Sequence, residues 1–212
     1  MKIEFYYDPC CPWCWITSRW LKTVEQERDI KITWLPFSLA IKNNELEDKD
    51  SSSNYAMTHR AAHRVHRVIE AIVKDGASNR GELYTAFGTS HFIEKNQYDD
   101  ATIKNVLEGL NINASDLLKA ADDESIDEVL QEHLDNAIDV VGEDVGVPLI
   151  IFVNEDEQRT GYFGPVITEL PAREEALDLW DGLQKLASNK SFYELKRSRN
   201  VGPNVDSTKP TA

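Results

Sequence analysis

Cys11 and Cys14 bracket a Pro-Trp pair at the point where the apolar period of the chain changes from that of a strand to that of a helix. Upstream, residues 3–7 form an apolar, aromatic run that Asp8-Pro9 stops, and they read as a first strand. Downstream of Pro12, the residues Trp15, Ile16, Trp20, Leu21 and Val24 recur at helical spacing until about Arg28-Asp29. Residues 31–38 then read as a second strand. A strand, a helix and a strand joined by a crossover of this length make a βαβ unit with two parallel strands. The Cys-x-x-Cys is thereby fixed between strand and helix, and few folds open this way.

The middle of the chain has a different character. Residues 43–54, "NNELEDKDSSSN", form a polar connector without apolar periodicity. Helices are expected over 54–75, 79–95, 99–110, 115–122 and 124–142. Asp75-Gly76 and Gly109 punctuate them, and Asp99 or Asp100, and Ser115, are candidate N-caps. The β pattern returns with Leu149-Ile150-Ile151-Phe152-Val153, a run of buried-strand type, and residues 159–166 supply its hairpin partner. Residues 171–188 read as a helix with Pro171 near its first turn and Leu177, Leu183 and Leu186 on an apolar face. A short helix is expected at 192–199, followed by a disordered tail over 200–212, which has little to bury. The order is β-α-β, a helical block, then β-β-α. The expected fold is α/β: a thioredoxin-like βαβ-ββα core over 1–42 and 143–199, interrupted by an all-helical insertion over 43–142.

The cysteine positions carry the chemistry. Cys11 falls at the start of the first helix, directly before Pro12. Unpaired amides and the positive end of the helix dipole favour an anion there, and a thiolate is such an anion. Cys14 lies one turn later on the inward face. Cys11 is accordingly expected to be an exposed nucleophile and Cys14 the resolving thiol, with Trp13 at the rim. Val147-Pro148 stands where thioredoxin folds place a cis-proline opposite the cysteines; an ordinary trans proline at a strand start is the alternative. A closed zinc site needs four soft ligands, and the chain has three cysteines within five residues, so no metal is expected. Cys10 reads as a small apolar side chain under the loop, or as a third redox-active thiol. His59, His63 and His66 share a helix face, but Arg60, Arg64 and Arg67 interleave them, and a solvated basic face is the expectation.

Composition removes other classes. Asp and Glu number 37 against 23 Lys and Arg, a formal net charge of −14, which argues against nucleic-acid or anionic-membrane surfaces. No apolar stretch is long enough to span a bilayer, and the N-terminus runs straight into a strand, so a cytoplasmic location is expected. In a reducing compartment a Cys-x-x-Cys is more often catalytic than structural.

The segments "DPCCPWCWITSRWL", "FSLAIKNN", "LYTAFG", "AIDVVGEDVGVPLIIFVN", "YFGPVITELPAREEALDLWD" and "FYELKRSR" resemble the actinobacterial mycothiol-dependent nitroreductase family, a branch of DsbA-like thioredoxin-fold proteins. The resemblance runs from the first strand to about Arg199 and is densest at both ends. Cys10 departs from it, a leucine being usual there. It implies a cytosolic homodimer with no bound cofactor, which takes electrons from mycothiol as a low-molecular-weight thiol co-substrate. It further implies a two-electron cycle at Cys11 and Cys14 that delivers to disulfides or nitroaromatic compounds. Trp13, Asn43, Tyr55 and His91 are the candidates to line a substrate pocket between core and insertion, with Val147 and Pro148 opposite the cysteines. Asn43 reads equally as a turn residue, Tyr55 as core and His91 as a packing histidine. The competing functions are a DsbA-like disulfide isomerase, a kappa-type thiol transferase or isomerase, against which Cys14 speaks, and a non-catalytic cluster-binding module.

Overall fold

A computed structural model describes residues 1–47, 53–76 and 79–210. Residues 48–52 of the polar connector and 211–212 of the tail lie outside the described residues. The chain divides into two units: Met1–Tyr6 with Cys11–Trp34 and Ile138–Ala212, and Tyr7–Cys10 with Leu35–Ala137.

The first unit is built on a four-stranded sheet. Strand β1 (Lys2–Tyr7) is rich in aromatic and branched residues, and Ile3, Phe5 and Tyr6 are buried, as a central strand requires. Its neighbours are β2 (Lys31–Pro36) and β3 (Leu149–Val153), and β4 (Arg159–Phe163) forms the edge, in the order β2-β1-β3-β4. β1 runs antiparallel to β3, with Lys2 opposite Val153 and Tyr6 opposite Leu149. β3 and β4 form the expected hairpin, Leu149 opposite Phe163. Lys31 N donates to Met1 O at 2.8 Å and Phe37 N to Tyr7 O at 2.9 Å, so β1 and β2 advance together as a parallel pair.

Helix α1 (Pro12–Glu25) begins on a proline, whose missing amide costs nothing at a first helical position. It buries Cys14, Trp15, Ile16, Trp20, Leu21 and Val24. Trp20 packs on Trp180 of the C-terminal helix, α8 (Arg173–Ala187), with ring centroids 5.9 Å apart, and its indole N–H donates to Ala176 O at 2.9 Å. Trp180 in turn meets Phe152 of β3 at 5.8 Å.

Two expectations for the C-terminus fail. Residues 192–199 form no helix. Tyr193 and Leu195 are 85% and 83% exposed, so the segment has no apolar face to pack, and the Phe192 carbonyl accepts from Tyr162 Oη at 2.8 Å instead of a helical amide. Residues 200–210 are ordered rather than loose. A short 3₁₀ turn, Val205–Thr208, presents Thr208 Oγ1 to the indole N–H of Trp15 at 2.8 Å, while Asn204 N donates to Thr168 O and Leu170 N to Ser207 Oγ. The tail buries little apolar surface, but it supplies an acceptor to the indole N–H of a buried tryptophan.

The second unit is helical. It contains α2 (Leu39–Lys42), α3 (Asn54–Lys74), α4 (Arg80–Gly88), α5 (Asp100–Gly109), α6 (Ala114–Ala120) and most of α7 (Asp127–Val141). Val65, Val68, Ile69 and Ile72 of α3 form a core with Leu83, Phe87, Tyr98, Ile103 and Leu107. Ser53, Asn79, Asp99 and Asn113 cap α3, α4, α5 and α6, so Asn113, and not Ser115, holds the last of these caps. The expected helix at 79–95 is α4 followed by a π-helical turn, Thr89–Ile93. α2 escaped the sequence reading; Ser38 Oγ caps its single turn through Ile41 N.

The histidine face of α3 is not solvated. His63 and His66 are buried. His63 is held between Ser38 Oγ (2.9 Å) and Asp127 Oδ1 (2.9 Å), and Arg67 grips Asp127 bidentately at 2.6 Å. His59 pairs with Glu45 at 2.7 Å. Acidic partners from distant segments turn an apparently basic face into an internal network. Among the described residues, no group of three or more His, Cys, Asp or Glu could hold a metal, and no helix is long and apolar enough to cross a membrane.

Candidate active site

The dithiol lies in the first unit at the N-terminus of α1. Cys11 is the N-cap, in extended conformation, and its carbonyl accepts the first helical bond from Trp15 N at 3.1 Å. Its side chain makes no capping hydrogen bond, and no acidic residue occupies the first helical turn. The positive end of the α1 dipole therefore meets no side-chain carboxylate of its own helix there. Cys11 Sγ faces the carbonyl of Val147 at 3.7 Å, and the Val147–Pro148 peptide is cis.

Cys11 is less open than the sequence suggested, being 7% exposed, because the Val147 segment lies against it; Cys14 is fully enclosed. Trp13 stands half-buried between them in sequence. The guanidinium carbon of Arg199 lies 4.6 Å from the centroid of its ring. Cys11, Trp13, Cys14, Val147 and Pro148 thus belong to one unit.

Asn43, Tyr55 and His91 belong to the helical unit. Asn43 is the exposed C-cap of α2. Tyr55 is 79% exposed at the start of α3 and is not core. His91 sits in the π-helical turn, stacked on Tyr98 at 4.5 Å with Nδ1 2.9 Å from Asn96 O; burial lowers its pKa.

The turn that leads into the dithiol is anchored in the helical unit. Asp8 is fully buried. Its Oδ1 accepts from Cys10 N and from Cys10 Sγ, both at 3.0 Å, and its Oδ2 accepts from Leu39 N at 2.9 Å. Burial raises the Asp8 pKa, and the hydrogen bonds from Leu39 and Cys10 oppose the rise. His66 Nε2 is 3.8 Å from Asp8 Oδ2, and neither of its ring nitrogens has a hydrogen-bond partner among the described residues. Burial drives the His66 pKa well down, aided by His63 and His133. Tyr98 Oη lies 3.1 Å from Pro9 O and 3.3 Å from Phe87 O. Cys10 is buried in the helical core cluster, a small apolar side chain that also donates its S–H. Asp8 and Arg199 were missed by the sequence reading. An Asp two residues before a cysteine amide, with proline between, is a recognisable Asx-turn pattern; nothing local marks Arg199.

A Cys-x-x-Cys at a helix start, a facing cis-proline and a β2-β1-β3-β4 sheet define a thioredoxin-fold protein of the DsbA-like kind. Solved structures agree. The cytosolic disulfide reductase DsbM from Pseudomonas aeruginosa superposes with a TM-score of 0.57 at 10% identity, covering 88% of this chain and all of that one. A probable DsbA oxidoreductase, SCO1869 from Streptomyces coelicolor, gives 0.56 at 16% identity over 94% of each chain. Residues 10–197 match the Rv2466c-like family model, described as mycothiol-dependent nitroreductase Rv2466c, and the chain belongs to that family. The uncharacterized protein Rv2286c of Mycobacterium tuberculosis is 29% identical over 205 residues, 93% of this chain and 82% of that protein. Family membership makes the protein an enzyme, an oxidoreductase of thiol-disulfide type.

Proposed function

We propose that the protein cycles Cys11 and Cys14 between dithiol and disulfide, with mycothiol as the reducing co-substrate and disulfides or nitroaromatic compounds as acceptors. The observation that carries this reading is Cys11 Sγ at the start of α1, against the Val147 carbonyl. The Cys11 thiolate attacks one sulfur of a disulfide RSSR, forming a mixed disulfide and releasing RS⁻. Cys14 loses its proton and attacks the Cys11 sulfur; the Cys11–Cys14 disulfide forms and the second RS⁻ leaves. Two mycothiol molecules reverse the oxidation and leave as mycothiol disulfide. With a nitroarene, the two electrons and two protons of the dithiol reduce the nitro group to nitroso and release water. Val147 offers its backbone to an extended substrate, and Trp13 offers an aromatic face.

The test uses Cys11→Ser and Cys14→Ser in the full chain, mixed with mycothiol disulfide and read by mass spectrometry. Cys14→Ser should accumulate one adduct on Cys11, and Cys11→Ser should form none at the native rate. An adduct on Cys14 of the Cys11 variant at that rate would reverse the roles.

A further inference from the structure

Arginines of this chain typically end on carboxylates. Arg28 grips Asp181, Arg64 holds Asp100 and Asp122, Arg67 holds Asp127, and Arg80 holds Glu70. Arg199 does not. It lies over the Trp13 ring, and among the described residues it makes no hydrogen bond or ion pair. Stacking uses the face of a guanidinium and leaves its N–H edges for planar, two-oxygen acceptors. The ring beneath it belongs to the residue between Pro12 and Cys14, so the contact ties the cation to the Cys-x-x-Cys segment.

The surrounding charge sharpens the point. The whole chain carries a formal −14, which repels anions at long range. Yet Lys196, Arg197 and Arg199 cluster within four residues, with Glu194 the nearest acidic neighbour in sequence, and the first turn of α1 holds no acidic residue. A cation with unused donors on the Cys-x-x-Cys segment, in an otherwise acidic protein, selects for negative charge.

We propose that Arg199, seated on Trp13, is the recognition site for a carboxylate on the electron-accepting substrate, so that anionic aromatic disulfides or nitrobenzoates are preferred over uncharged ones. This rests on the reading of Cys11 as nucleophile. Trp13 stacks against the guanidinium and holds it in place; the guanidinium edge binds the carboxylate; the electrophilic sulfur or nitro group is thereby brought to Cys11.

The experiment is single-turnover oxidation of the reduced full-length protein by two chromogenic disulfides, 5,5′-dithiobis(2-nitrobenzoate), which carries carboxylates, and 2,2′-dipyridyl disulfide, which is neutral. Arg199→Ala should lower the rate constant for the anionic disulfide by about tenfold, the effect of one charge-assisted hydrogen bond, and leave the neutral one within about twofold. Arg199→Lys, which keeps charge but not the planar fork, should fall between. The ratio of Cys11 alkylation by iodoacetate and by iodoacetamide should drop in parallel in Arg199→Ala. Equal slowing toward both disulfides, or an unchanged ratio, overturns the recognition role while leaving the oxidoreductase reading intact. A wild-type protein inert toward both disulfides overturns both.

Discussion

Replacing Asp8 by Ala removes three acceptor contacts at once: Cys10 N and Cys10 Sγ on Oδ1, each at 3.0 Å, and Leu39 N on Oδ2 at 2.9 Å. The carboxylate has no solvent exposure, so bulk water has no ready access to the vacated space. A buried backbone N–H without an acceptor costs about 1–3 kcal/mol, and two of them cost roughly 2–6 kcal/mol, with the half-buried Leu39 amide the smaller share. Removing the buried charge works in the other direction, because burial already penalises the ionised form. Asp8→Asn separates the two effects. The amide oxygen still serves Cys10, but its NH₂ faces the Leu39 N–H, so about 1–3 kcal/mol is lost instead of the larger sum. The expected order of stability is wild type, Asp8→Asn, Asp8→Ala. The pH dependence follows from the raised Asp8 pKa. The native state binds this proton where the unfolded chain has released it, so the contribution is full below the unfolded value of 3.8 and is lost as pH rises through the folded one. The advantage of wild type over Asp8→Asn should therefore shrink from pH 4 toward neutrality. Urea unfolding across that range reads both quantities. An Asp8→Ala protein within about 1 kcal/mol of wild type, or a gap that widens with pH, would refute the view that this carboxylate holds the dithiol turn.

Asp127→Ala should destabilise by about 2–4 kcal/mol in the same assay, since it strands Arg67 and the buried His63; the partial exposure of Asp127, 26%, keeps the loss below that of a fully enclosed pair. Burial works against ionisation of Asp127, but hydrogen bonds and charge from Arg67 and His63 outweigh it and lower its pKa, so its stabilisation is present above the ordinary carboxyl range and should fade as pH falls below about 4. Gly161→Ala should lower the melting temperature by roughly 3–10 °C, because its Cβ would sit 2.5 Å from Val141 Cγ1 and 2.9 Å from Ile151 Cγ1; a calorimetric scan indistinguishable from wild type would show that these side chains yield freely.

The parts of the molecule visible in the sequence are those set by local pattern. The alternating and branched runs of β1 and β3, the apolar stripe of α1 and the proline at its start specify the dithiol position without reference to anything distant. What escaped depends on partners far along the chain. His63 and Arg67 read as a solvated face because Asp127 is about sixty residues away, and helical spacing carries no trace of it. Thr208 looked like loose tail because its value lies in accepting from Trp15, 193 residues earlier. Ser38 caps a single helical turn, too short for a periodic signal. Arg199 matters through a ring contact, and an arginine in a basic run announces nothing about what it lies on.

The Cys11 sulfur and the carbonyl it faces are separated by 136 residues of chain. On a ribosome moving at about 5–20 residues per second, Cys11 is made roughly 7–27 s before Val147. The central strand β1 waits somewhat longer for β3, and Trp15 longer still for Thr208. A nascent chain therefore carries Cys11 without its facing carbonyl for about two thirds of its length, and the surroundings of its birth, more than the finished fold, decide whether that thiol arrives unmodified.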